Sequence, residues 1–406
     1  MPNTPLQYML FLLLLASAGC RDSPAPSPQI DKSASSGDRL MSQGRYGEAL
    51  QAYRRAAKRR PEAAEIQRKL AAAYAKNEHL AQAVTAYEKA IDLDPDHAKA
   101  RTELAILFTR LDRYEEAFAM LEETIELRPD YAWTHLVLGL LHFREGRYGQ
   151  ARGAYQGAIA AKADYGEAWF NLGEVHLKQN DFAAAEEAYQ RAIAADAKAA
   201  KFRNGLGRVH YRRRDYAAAA VEFARVTQLD SLFARGHFNL GNALLRSGEK
   251  EAGQRQLAIY KRLEEEENRI AALRNKLLTH PDKAGVYHDL AAIYGQRGQY
   301  EKAIIRYRQA IARDSSFAPA HHNLANIYLR RGRLAEAVKI FHRALRADST
   351  YALSHLALGN AHMLRREYDL AIERFQRGLR FAPDNARLRR NLAAARQIKS
   401  SAGERQ

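Results

Sequence analysis

In Ala132–Tyr165, apolar side chains fall three and four residues apart in two stretches, separated by the polar tetrapeptide Arg144-Glu145-Gly146-Arg147. That spacing puts each apolar set on one face of a helix, so the segment predicts a helix, a turn and a second helix. The next 34 residues repeat it: Leu138-Gly139, His142, Ala151, Tyr155 and Ala158 return as Leu172-Gly173, His176, Ala185, Tyr189 and Ala192. An alanine keeps the same period through Ala49, Ala83, Ala117, Ala151, Ala185 and Ala219, misses a beat, and resumes at Ala303, Ala337 and Ala371. One hairpin cannot bury both of its faces, so stacking on its neighbours is obligatory. The chain therefore predicts an all-α array of helix hairpins, with the small residues where helices approach closely and Tyr or Leu filling the space beside them.

Ten units are legible, beginning near Ile30, Ala64, Ala98, Ala132, Gly166, Ala200, Ala234, Ala284, Ala318 and Ala352. Proline marks the unit ends at Pro61, Pro95, Pro129 and Pro383, and Pro281 holds the same place before the eighth unit. The first unit is the poorest match, and the seventh carries Gly253 in place of the packing alanine. This pattern resembles the tetratricopeptide repeat across nearly the whole chain after the first residues. The resemblance implies a right-handed superhelical solenoid whose first helices line an inner, concave face where peptides bind.

Between the seventh and eighth units the register slips by 16 residues. Glu249–His280 has no Pro, and it carries Leu257, Tyr260, Leu263, Ile270, Leu273 and Leu277. It predicts one extended helix of roughly 45 Å that interrupts the solenoid. The expected organisation is then an N-terminal array over 37–267, a helical spacer over 268–283, a C-terminal array over 284–385, and a capping helix and tail over 386–406.

The first residues read as an address. Tyr8–Gly19 is an apolar run too short to span a bilayer as a helix and fits the core of a secretory signal peptide over 1–19. It ends in Ser17-Ala18-Gly19-Cys20, and Cys20 is the only cysteine. This resembles a bacterial lipoprotein signal, which implies a lipid on Cys20 and a protein anchored in the cell envelope. Arg21 in place of Asp leans toward the outer membrane, facing the periplasm; a secreted or periplasmic protein is the alternative. Pro and Ser dominate the following segment, so 20–36 is expected to be a flexible tether. With one cysteine there is no intrachain disulfide, and the fold must hold by packing alone.

The formal net charge is +17, and from Ala284 onward Lys and Arg outnumber Asp and Glu more than two to one. Arg377, Arg380, Arg387, Arg389 and Arg390 make the C-terminal end a candidate for anionic lipid or glycan. The sequence has no H-E-x-x-H, no Walker loop and no G-x-S-x-G, and no segment outside the repeats is long enough for a catalytic domain. No enzyme, cofactor, metal or nucleic acid is expected; a protein or peptide partner is.

Two ladders fall on the first helices. One is basic: Lys76, Arg110, Arg144, Lys178, Arg212 and Arg246 at the repeat period, with Arg330 further on. The other is amide: Asn171, Asn239, Asn323 and Asn391, with Asn204, Asn242, Asn326 and Asn360 nearby. Asn donates and accepts at once and can bracket a peptide backbone; Arg adds charge-assisted bonds to carboxylates. The amide row resembles the asparagine ladder in the repeats of O-GlcNAc transferases. Histidine recurs in register at His142, His176, His210 and His362, and again at His135, His237, His321 and His355, which points to packing roles. Trp133 and Trp169 start inner helices and read as core.

Overall fold

The computed structural model describes residues 32–403 of the chain; Cys20 and the segment before it lie outside them. The described residues form 21 α-helices and no strand. The first helices of the ten hairpins are α1 (Lys32–Ser42), α3 (Ala64–Lys76), α5 (Ala98–Arg110), α7 (Ala132–Arg144), α9 (Gly166–Lys178), α11 (Ala200–Arg212), α13 (Ala234–Ser247), α15 (Ala284–Gln296), α17 (Ala318–Arg330) and α19 (Ala352–Leu364). Their second helices are α2 (Tyr46–Arg59), α4 (Leu80–Leu93), α6 (Tyr114–Leu127), α8 (Tyr148–Ala161), α10 (Phe182–Ala195), α12 (Tyr216–Leu229), α14 (Lys250–Thr279), α16 (Tyr300–Arg313), α18 (Leu334–Ala347) and α20 (Tyr368–Phe381). α21 (Ala386–Gly403) follows the last hairpin. The described residues fall into two compact units, with the boundary between Val209 and His210, inside α11.

One backbone conformation makes every hairpin turn. Gly44, Gly146, Gly248, Gly298 and Gly332 have φ between 71° and 97°, and Glu78, Asp112, Asn180, Arg214 and Arg366 take φ between 58° and 64° at the same repeat position. Left-handed backbone is free of penalty only for glycine. The other five turns hold it at a cost of about 1 kcal/mol each, outweighed by the packing of the helices on either side.

That packing is a large side chain on a small one. Tyr155 and Phe375, both fully buried, lie against Gly139 and Gly359. A methyl group at either glycine would sit 2.4 or 2.3 Å from the ring, so only glycine admits the aromatic side chain at this separation. Beside each ring the alanine of the repeat period is fully buried, from Ala49 to Ala371.

The seventh hairpin breaks these rules, and the break explains the slip. Gly253 and Gly241 bring α13 and α14 so close that a methyl on Gly253 would lie 2.8 Å from the Gly241 carbonyl. Further along α14 stands Tyr260, where other second helices carry Ala158, Ala192, Val226, Ala310 or Ala344. Val226 shows what the position does: it sits beneath Gly236 of the following first helix. Tyr260 packs instead on Phe238 of its own hairpin. α14 runs on to 30 residues, where the other second helices have 14. Sixteen extra residues turn a helix by about 160°, so the next apolar stripe emerges on the opposite side. α15 packs there, with Ile270, Leu273 and Leu277 against Tyr287, Leu290 and Tyr294. Arg297 closes the joint onto Glu266 at 2.7 Å and onto Glu267.

Candidate binding surface

Every member of the basic row sits in the last turn of its first helix, at the edge where the hairpin turns. The exposed carbonyls of that turn favour a cation. The row is not uniform. Lys76 lies 5.9 Å over the Tyr46 ring, and burial, then the Arg110 charge, pushes its ammonium below the usual lysine range. Arg110 pairs with Glu78 at 2.9 Å. Arg144 stacks 4.3 Å over Tyr114 and reaches Glu145 at 3.5 Å. These three are engaged mainly by the turn or second helix of the preceding hairpin. Lys178, Arg246 and Arg330 are exposed and have no ion-pair partner among the described residues; Arg212 is exposed as well.

The amide row is partly spent within the fold. Asn171 donates to the Glu167 carbonyl at 2.7 Å, and Asn242 to the Phe238 carbonyl at 2.9 Å. Asn204 is buried and Asn239 half-buried. In the C-terminal repeats two amides link neighbouring helices, Asn323 donating to His288 at 2.9 Å and Asn391 to Asn360 at 2.7 Å, while Asn326 donates within its own helix to His322 at 3.0 Å. An asparagine can make four hydrogen bonds, so each retains capacity for a further partner.

The strongest feature of this face was not apparent from the sequence patterns. Opposite charges about one repeat apart form rungs between neighbouring first helices. Lys201 meets Glu167, and Arg208 meets Glu174 at 2.7 Å, which also accepts from Tyr189. Arg68, itself buried, pairs with the mostly buried Glu103 of the next first helix and with the half-exposed Glu65 of its own. The signal was present as acid–base pairs spaced 34 or 35 residues apart on first helices, a test of charge that a search for apolar period passes over.

The second set of recurrent histidines does a job that several other side chains share. His135, His237, His321 and His355 each donate Nε2–H to the carbonyl six residues earlier, at 2.9 to 3.1 Å. Gln67, Arg101, Trp169 and Arg389 make the same bond. In these helices the position carries an N–H donor that closes the loop before the helix, which any of these side chains supplies. Trp169 is thereby placed in the scaffold, and Trp133 is buried. Among the described residues no group of three or more His, Cys, Asp and Glu could hold a metal ion, and no helix is long and apolar enough to cross a membrane. At the C-terminal end Arg389 pairs with Asp384 and Arg377 with Glu373, while Arg380, Arg387 and Arg390 are exposed.

Family models described as tetratricopeptide repeat match residues 136–200, 173–231 and 204–253, and 76–136 and 328–395; one described as TPR repeat matches 37–78 and 291–330. The unmatched stretch between 253 and 291 is that of α14 and the start of α15. No curated protein matches the chain. Among solved structures, pilF of Pseudomonas aeruginosa is 20% identical with a TM-score of 0.45, covering 50% of this chain and 93% of its own. PilW, a type IV pilus biogenesis factor, is 22% identical with a TM-score of 0.43, covering 48% and 90%. YrrB, a TPR protein with an unusual peptide-binding site, is 22% identical with a TM-score of 0.38, covering 44% and 91%.

Proposed function

Because the chain belongs to the tetratricopeptide repeat family, we propose that it is a non-enzymatic adaptor that binds protein partners along its first helices. In this reading it is held in the bacterial envelope, at the outer membrane, by a lipid on Cys20. The observation that carries the adaptor role is the uneven basic row. Lys178 and Arg330 end their helices exposed, with no ion-pair partner among the described residues, although packing requires neither charge. A cation left available at a repeated position is suited to a partner's carboxylate.

The test is affinity capture from solubilised envelopes with the mature protein, beside a variant carrying Lys178→Glu and Arg330→Glu. Both positions are exposed, so the variant is expected to keep its melting temperature within a few degrees and to lose its captured proteins. An identical set of captured proteins would remove the row from the binding surface. Recovery of anionic lipid alone would move the site to the exposed arginines of α21. The anchor has its own readout. Cys20→Ser is expected to shift the protein from the membrane to the soluble fraction, and unchanged membrane association would exclude lipidation at Cys20.

A further inference from the structure

The register break leaves one first helix with an outward stripe unlike the others. α13 presents Arg235, Phe238, Asn242 and Arg246 at spacings of three and four, which places them on one face. Phe238 is 43% exposed. Its ring lies 5.1 Å from that of Tyr260, inclined by 59°. The two rings form an aromatic step open to solvent, where a continued array would have seated its next helix on a small residue.

The step is held rigidly. His237, the neighbour of Phe238, is fixed at both ring nitrogens, by the Ser231 carbonyl at 3.1 Å and Gln256 of α14 at 2.7 Å. Tyr260 is oriented by its hydroxyl, which donates to Glu264 at 2.7 Å, and the Arg235 charge reaches it. An exposed aromatic pair fixed in this way is an anchor for an apolar side chain.

The charges flanking the step select the occupant. Arg235 and Arg246 are exposed, neither has an ion-pair partner among the described residues, and no carboxylate lies on the α13 stripe between them; Glu264, the carboxylate at the step, is engaged by the Tyr260 hydroxyl. They stand eleven residues apart, about 16 Å along the helix. Phe238 is about 4.5 Å from the Arg235 end. An extended chain advances about 3.3 Å per residue. The matching ligand therefore has a carboxylate next to an aromatic residue and a second carboxylate four residues beyond the aromatic. We propose that this stripe, with Tyr260, is a docking site for a short acidic segment of a partner protein, with an aromatic side chain seated on Phe238 and Tyr260 and carboxylates on Arg235 and Arg246. The proposal rests on the adaptor reading and gives it a partner chemistry.

The test uses fluorescein-labelled Glu-Phe-Ser-Gly-Ser-Glu and its reversed order, because the helix does not fix the chain direction, titrated with the intact protein and followed by anisotropy. At least one order is expected to bind, with affinity lowered about tenfold or more by Phe238→Ser, by Arg235→Ser, or by Gln in place of Glu in the peptide. Moderate salt should weaken the charged contacts and leave the aromatic dependence. The proposal is overturned if neither peptide binds better than its Gln control, or if Phe238→Ser binds as the native protein does. The Lys178 and Arg330 variant keeps the aromatic step and should bind the peptide normally. Peptide failure with envelope capture intact thus rejects this site and leaves the adaptor role standing, whereas the reverse pattern rejects the basic row.

Discussion

Arg68→Ala is expected to destabilise the N-terminal repeats by about 3–5 kcal/mol, the range for breaking a buried ion pair, here Arg68 with Glu103, from one side. Arg68 is 7% exposed. Its Nε and Nη2 each donate to Glu65 at 2.6 Å, and its Nη1 spans both oxygens of Glu103 at 2.9 and 2.8 Å. Burial lowers the guanidinium's affinity for its proton, but the Glu103 charge and the Glu65 bonds outweigh it and hold the group well above its ordinary value. Burial likewise pushes the Glu65 carboxyl up, and the bonds from Arg68 and His97 then hold it well below the carboxylate range. Removing Arg68 leaves Glu103, with 14% of its side chain exposed, facing Tyr87 without a counter-charge. Urea unfolding followed by far-UV circular dichroism checks the magnitude, and hydrogen exchange in α3 to α5 checks the location. A loss below about 1 kcal/mol would show that the cluster is solvated and contributes as a surface pair does. Pairing Arg68→Met with Glu103→Leu removes both buried charges and should recover most of the loss. Glu65, half of whose side chain is exposed, adds a smaller part that depends on pH: its depressed folded pKa means this part is present at neutral pH and is lost as acid protonates the carboxylate.

The sequence made the hairpins legible because their determinants are local and periodic. Each first helix from Ala64 to Ala352 begins where the repeat predicted it, and the proline-free stretch through Leu263 and Ile270 is one helix. Gly253 was visible as a departure; Tyr260, at a position where Val226 seats the next helix, was not. Its meaning depends on which residue it faces, and only the neighbouring helix shows that the position seats Gly236 in the preceding repeat. The surface was harder to read for the same reason. Arg144 and Lys178 are equivalent in sequence, yet one stacks on Tyr114 and the other is exposed. His135 and Trp169 look unlike and make the same bond. A pattern of residue types records where a side chain starts; what it does is decided by the group that meets it.

His322 sets the second large effect, in the C-terminal repeats. Its Nδ1 lies 3.0 Å from the Ser354 hydroxyl and its Nε2 accepts from Asn326 at 3.0 Å. Phe341 and Tyr351 rings flank it, each 5.4 Å away. No carboxylate bonds it, so burial alone acts, and it pushes the imidazole down to about 4. The unfolded chain holds a histidine near 6.5. A buried neutral imidazole therefore contributes its full stability above about pH 6.5 and loses it as pH falls toward 4, where the unfolded state has taken a proton that the folded state refuses. At about 1.4 kcal/mol per pH unit, the whole window is worth about 3 kcal/mol. His321, His342 and His355 are also pushed down by burial, and in His321 and His355 a backbone bond works the other way; His322 carries the large shift among them, so it should dominate. Thermal melts at pH 7, 6 and 5 are expected to fall steeply for the native protein, above the range where most carboxylates titrate. His322→Gln retains an amide for Ser354 and Asn326 but has no proton to gain. It should start less stable at pH 7 and lose most of that slope. Equal slopes in the two proteins would mean that the imidazole is already charged in the fold or exposed to water, and would assign the acid sensitivity to groups elsewhere.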